Sequence, residues 1–317
     1  APARLAFHGV DGTPDPVFGD DGLDFRVGEQ PVAGFLAANQ LFLGGFGTDA
    51  WRVAIAPGRY VVRATRGPEF ALTTATLDVA PGEDTALAID APLRAVETPG
   101  WIAADLHVHA APSDDSTVPM RARLASFVAE GGEVLVSTDH DHVSDYAPLI
   151  EAHGLRDRVR SVVGLEVTGV VKTGVVPASV GHHNVFPLPY RPALHRKGAL
   201  RSEDRRLRAI VAEARALPGE RLVQLNHARS GRKQGAAADG DAFLEHLSIG
   251  RAFDPTLPLD SDANRSLLDA DPQTGLRDLD FDALELLNGP SMDRYHALRA
   301  DWIALLRQGI RRTATAN

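Results

Sequence analysis

The sequence predicts an α/β chain in two parts: a small all-β domain over residues 1–98, then a strand–helix alternation over residues 99–317. Three observations predict it. The first 98 residues alternate apolar and polar positions between Pro-Gly turns. After Thr98-Pro99-Gly100, apolar strands alternate with amphipathic helices, which argues for a parallel sheet or barrel. The composition is globular, with 44% hydrophobic and 24% charged residues over 317 positions, a length suited to two domains.

In the first part, Trp51-Arg52-Val53-Ala54-Ile55 reads as a strand. So do parts of Tyr60 to Thr65, Phe70 to Val79 and Thr85 to Leu93. Ala56-Pro57-Gly58 and Ala80-Pro81-Gly82 supply turns, and the expected architecture is a β-sandwich. Seven arginines against 13 acids give this part −6 of the chain's −9. Gly45-Phe46-Gly47-Thr48-Asp49-Ala50 matches a dinucleotide-binding spacing, but the residues that follow read as a strand, so it is rejected. This part carries no chemistry; it is expected to pack against the second part or to mediate contact in a homodimer.

In the second part, strands are expected at Ile102 to Val108, Val134 to Ser137, Val159 to Val167, Leu222 to Asn226 and Ala283 to Leu287. A last one begins at Arg312 to Ala316. Helices are expected at Pro119 to Glu130, capped by Thr117 and ended by Gly131, at Glu203 to Leu217, and at Met292 to Leu306. Residues 228–282, rich in Gly, Asp and Pro, read as a long loop over the site with one helix at Asp241 to Leu247.

Composition excludes several classes. A net charge of −9 argues against nucleic acid and for a small-molecule ligand. No cysteine is present, so disulfides, thiolate zinc sites and a Cys nucleophile are excluded. No apolar run reaches membrane-spanning length. The start at Ala1-Pro2-Ala3 fits an exported chain with its leader removed as well as a trimmed one; a periplasmic or secreted place is expected over a cytoplasmic one. Neither a Gly-x-Ser-x-Gly elbow nor a phosphate-binding glycine loop occurs, so a Ser nucleophile and nucleotide hydrolysis lack support.

Nine of the twelve histidines fall between His107 and His227. His107 and His109 end the first strand, where period two puts both on one face. Asp139 and His140 follow Val134 to Ser137, and Glu166 ends the strand through Val162 and Val163. His182 and His183 precede Val185-Phe186, and His227 follows Leu222 to Asn226. Each alone has an ordinary structural explanation: surface alternation, a turn, an ion pair or a cap. Together they place imidazoles and a carboxylate repeatedly at strand ends, the face where the active sites of βα barrels lie. That is a metal site built from nitrogen and oxygen donors, suited to Zn, Mn or Fe.

Asp105-Leu106-His107-Val108-His109, Ser137-Thr138-Asp139-His140-Asp141, Gly164-Leu165-Glu166-Val167, Gly181-His182-His183-Asn184 and Asn226-His227 together resemble the polymerase-and-histidinol-phosphatase (PHP) superfamily. The wording is most similar to the branch containing carbaryl hydrolase, and the resemblance covers residues from about 100 to 317. It implies a distorted (βα)7 barrel holding two or three divalent ions. His107 and His109 would bind the first ion, Glu166 would bridge two, and His182 (or His183) with His227 would serve the second. His140 with Asp115 (or Asp114) would hold a third. Asp105, Asp139 and Asn226 would orient imidazoles. Arg229 would clamp an anionic substrate or else be a surface arginine. The resemblance also implies a further Asp-x-His motif after the last strand; the sequence stops at Asn317, so the barrel is expected to be truncated at its C-terminus.

The implied activity is metal-dependent hydrolysis, with Glu166 and Arg229 at the reaction and a phosphoester as substrate. A carboxylic ester or carbamate is the alternative. A metal- or carbohydrate-binding surface protein without turnover is the alternative of another class.

Overall fold

The structure, a computed structural model, describes residues 1–19, 38–45, 52–169, 181–229, 243–244, 253–289 and 291–317. It divides into two compact units. The first comprises 1–104, 113–135 and 146–161; the second comprises 105–112, 136–145 and 162–317.

The first unit holds a four-stranded antiparallel sheet in the order β2-β1-β3-β4. Its strands are β1 (Ala3–Val10), β2 (Gln40–Leu43), β3 (Gly58–Thr65) and β4 (Thr73–Val79). Alternation decides its faces: Leu5 and Phe7 of β1 pair with Ala64 and Val62 of β3, and all four are buried. The expected sandwich is corrected here. Among the described residues this unit has one sheet, not two. Its apolar face is covered by Val53, Ile55, Leu87 and Ile89, from extended segments that form no ladder. Hydrophobic alternation specifies which side chains are buried, whereas a strand also needs a partner for its N–H and C=O groups. Trp51 and the rejected glycine pattern at 46–50 lie outside the described residues.

Helix α1 (Met120–Ala129) also belongs to this unit; Val118 and Ala129 pack with Phe42, and Arg4 bridges to Glu130 at 3.0 Å. Pro119, not Thr117, is its N-cap, with no side-chain cap bond. Gly131 follows its end at φ +80, a conformation that favours glycine. Helix α2 (Ala147–Ala152) follows.

The remaining strands form two open sheets. One is a parallel trio in the order β5 (Ala104–Val108), β6 (Val134–Ser137) and β7 (Arg160–Val163). The other has five strands in the order β12-β11-β10-β9-β8: β8 (Leu165–Val167), β9 (His183–Phe186), β10 (Leu222–Leu225), β11 (Ala283–Leu287) and β12 (Thr313–Ala316). β9 runs antiparallel to both β8 and β10, while β10, β11 and β12 are parallel.

The expected closed barrel is therefore corrected: no closed barrel is present among the described residues. The continuous strand read at Val159 to Val167 is two strands, joined at Gly164. A Cβ there would meet Ser137 O at 2.8 Å, Phe186 Cβ at 3.1 Å and Val185 O at 3.2 Å. With only hydrogen at this position, the chain turns from the trio into the five-stranded sheet. An isolated parallel bridge joins His140, past the end of β6, to Glu166 of β8.

Helices α3 (Leu207–Ala216), α4 (Arg265–Leu268) and α5 (Met292–Arg307) complete the second unit. α3 buries Leu207, Ile210, Val211 and Ala214, the i, i+3, i+4, i+7 stripe of a helix lying on a core. Those residues join Leu165, Val185, Val223, Leu225 and Leu284 in the unit's main hydrophobic cluster. Most of the helix expected at Asp241 to Leu247 lies outside the described residues. No helix among them is long and apolar enough to cross a membrane.

Candidate metal centre

Five imidazoles close a ring around one carboxylate, all within the second unit. Neighbouring ring centroids lie 4.9 Å apart for His107 and His109, 4.7 Å for His109 and His140, and 5.1 Å for His140 and His182. The ring continues at 4.7 Å from His182 to His227 and closes at 5.8 Å from His227 to His107. Glu166 sits inside it, completely buried. Its Oε2 faces His107 Nε2 at 3.3 Å, His109 Nε2 at 3.2 Å and His140 Nδ1 at 3.1 Å. Its Oε1 faces His182 Nδ1 at 3.1 Å and His227 Nε2 at 3.6 Å.

Each side chain arrives on a different element. His107 is the fourth residue of β5, and His109 follows its end on the same face. His140 follows β6, Glu166 is the middle of β8, and His227 follows β10. His182 precedes β9. Because β9 is antiparallel to β8 and β10, its beginning lies where theirs end. That geometry also separates His182 from His183. His183 pairs in register with Val167 and Leu225 of the apolar cluster, whereas Asn184 pairs with Glu166 and Gln224.

A row of amides holds the carboxylate. Asn226 Nδ2 donates to Glu166 Oε1 and to Asn184 Oδ1, both at 2.8 Å, and Gln224 Nε2 donates to Asn226 Oδ1 at 3.0 Å. Asn184 Nδ2 in turn donates to Leu106 O at 2.9 Å. Asp139 ties the ends of two strands: its Oδ1 accepts from the Ala110 N–H at 2.7 Å and its Oδ2 from Ser144 Oγ. His140 Nδ1 lies 2.5 Å from Thr168 Oγ1. His182 and His227 adopt φ of +58 and +24, uncommon for residues bearing a Cβ.

The charges of the site are set by attraction between its carboxylates and its imidazoles. Burial opposes the charge of Glu166, but the imidazoles of His107, His109 and His182 outweigh it and hold its carboxyl well below the usual range. Burial likewise disfavours a charged His107, yet Glu166 and Glu285 overcome it and raise it to about 10. His227 is lowered, by burial first and by His182 in addition, against the pull of Glu166 and Glu285.

The donor set fits a metal. Glu166 Oε2 is buried with three imidazole nitrogens within 3.3 Å. Among the described residues of the second unit, two groups have ligand atoms close enough to share one ion: His107, Glu166 and His227, and His109, His140 and Glu166. Glu166 belongs to both. This pairing distributes the histidines differently from the distribution the resemblance implies, while keeping Glu166 common.

Asp115 falls in the first unit, where it accepts from Ser113 Oγ at 2.7 Å. Arg229 is held by Asp301 of α5, with its Nη2 donating to Oδ1 at 2.9 Å and its Nε to Oδ2. His153 lies in the first unit, His195 in a short exposed turn and His296 on α5. His246 lies outside the described residues.

Glu285 was not among the residues singled out from the sequence. Its Oε1 is 2.8 Å from His107 Nδ1, and it is fully buried. The available signal was a lone acid at the centre of Ala-Leu-Glu-Leu-Leu, a charge where a buried strand should be apolar.

No protein-family model matches the chain, and no curated protein matches it.

Proposed function

We propose that this chain is a metal-dependent hydrolase whose centre holds two divalent ions bridged by Glu166, with phosphoesters as its substrate class. The observation that carries the reading is the division of one buried carboxylate between two histidine groups. The motif resemblance to the PHP superfamily supports the reaction class. An all-imidazole and carboxylate donor set supports Zn, Mn or Fe over Mg or Ca. Divalent ions held by these histidines and Glu166 would supply an acidified water and Lewis acidity at neutral pH.

The chain's own contribution is orientation. Asn226 holds Glu166 Oε1, leaving Oε2 directed at His107, His109 and His140. Thr168 meets the Nδ1 of His140. Burial of Glu166 and Glu285 keeps two carboxylates in a dry setting, where cation attraction is stronger than in water. The bidentate pair with Asp301 ties Arg229 to α5, which supports a role in holding that helix beside the end of β10.

The test is a panel of p-nitrophenyl phosphate, bis(p-nitrophenyl) phosphate and p-nitrophenyl acetate with added Mn²⁺ or Zn²⁺. Phosphoester turnover that chelator abolishes and metal restores is the expected result. Turnover of the acetate alone would move the substrate to carboxylic esters. Silence across the panel with metal bound would make the centre a binding site without turnover.

A further inference from the structure

The sheet places Glu285 beside the end of β10, and its two oxygens meet two N–H donors. Oε1 lies 2.8 Å from His107 Nδ1, and Oε2 accepts from the backbone N–H of His227 at 3.0 Å. His107 and His227 are the two histidines of one of the ion-sized groups with Glu166. Their rings lie nearly parallel, 23° apart in plane.

We propose that Glu285 is a positioning residue that presets His107 and His227 for one shared ion. The inference rests on the metal-centre reading and adds how half of that centre is preformed. An imidazole ligates only through a nitrogen that carries no proton. An acceptor fixed against Nδ1 keeps the proton there and presents Nε2. In His107 that Nε2 is the atom facing Glu166, at 3.3 Å. His227 is held through its main chain instead. Its backbone sits at φ +24, and the bond to Glu285 secures that conformation, with Nε2 turned toward Glu166 at 3.6 Å.

The chemistry requires a carboxylate. Both partners are donors, and only a carboxylate accepts at both oxygens. In Glu285→Gln the amide keeps one of the two contacts and sets its NH₂ against the other donor. One member of the pair then loses its orientation, though side-chain volume is unchanged.

The experiment is zinc titration calorimetry on the full chelated chain, with Glu285→Gln beside the wild type and circular dichroism as the folding control. For one of two ions, the expected affinity loss is about 10–100-fold, the usual cost of removing a group that orients a ligating histidine. A ¹⁵N-histidine spectrum of the zinc-loaded wild type supplies a readout that needs no variant. His107 should carry its proton on Nδ1 and zinc on Nε2. Zinc on Nδ1, or unchanged affinity in a folded Glu285→Gln, overturns the positioning role while leaving the metal centre in place. A wild type that binds no zinc overturns both.

Discussion

Replacing Glu166 by glutamine tests the centre at its one shared ligand. Asn226 Nδ2 donates to Oε1 at 2.8 Å, so the amide oxygen of the variant takes that place. The NH₂ group then falls where Oε2 stood, facing three imidazole nitrogens at 3.1–3.3 Å. An anionic acceptor becomes a neutral donor on the side from which a cation would be held. Since both candidate groups include Glu166, both ions should weaken together. A loss of about 100-fold is a conservative expectation, because orienting groups outside the coordination sphere already cost about 10–100-fold. With free metal at about 100 times the wild-type Kd, binding stabilises the wild type by about 2.7 kcal/mol. A variant bound about 100-fold more weakly gains only about 0.4 kcal/mol. At about 2 °C per kcal/mol for a chain of this size, the metal-induced rise in Tm should shrink by about 5 °C. Scanning calorimetry with and without Zn²⁺, alongside metal counting after dialysis, measures it. Full metal content and an undiminished rise in Tm would refute the bridge.

Gly164→Ala should destabilise the fold by about 1–3 kcal/mol, because its Cβ meets Ser137 O at 2.8 Å where the strand changes sheets; denaturant unfolding reads the loss, and a neutral result would mean the strands part easily. Asp301→Ala should cost about 2–3 kcal/mol by leaving the Arg229 guanidinium without its carboxylate, a figure discounted because that side chain is 17% exposed. Its metal content should not change, and a loss of metal without destabilisation would return Arg229 to the site. For the chelated protein, the raised His107 contributes stability that is complete below pH 6.5 and disappears as pH rises through about 10. Its Tm should fall across that window. Bound Zn²⁺ replaces the proton and should flatten the fall, and a chelated profile already flat would contradict the assigned electrostatics.

The sequence by itself determined several strands and helices after residue 99 closely, and most of the side chains that gather around Glu166. β6 and β11 match their expected spans, and α1 and α5 do so within a residue at each end, because periodicity and turn residues are local signals. His107, His109, His140, Glu166, His182 and His227 were legible because ligand-type residues recur at strand ends. Tertiary structure decided the rest. Which of His182 and His183 enters the ring follows from the register of β9, which sets His183 opposite Val167 and Asn184 opposite Glu166, on alternate faces. Pairing of strands is a long-range choice that periodicity does not encode. Hence one continuous apolar run became β7 and β8 in separate sheets, and alternating segments in the first unit covered a face without forming a second sheet. Glu285 was illegible for the same reason. A lone acid in an apolar strand gains meaning only when the fold brings His107, 178 positions away, to its carboxylate.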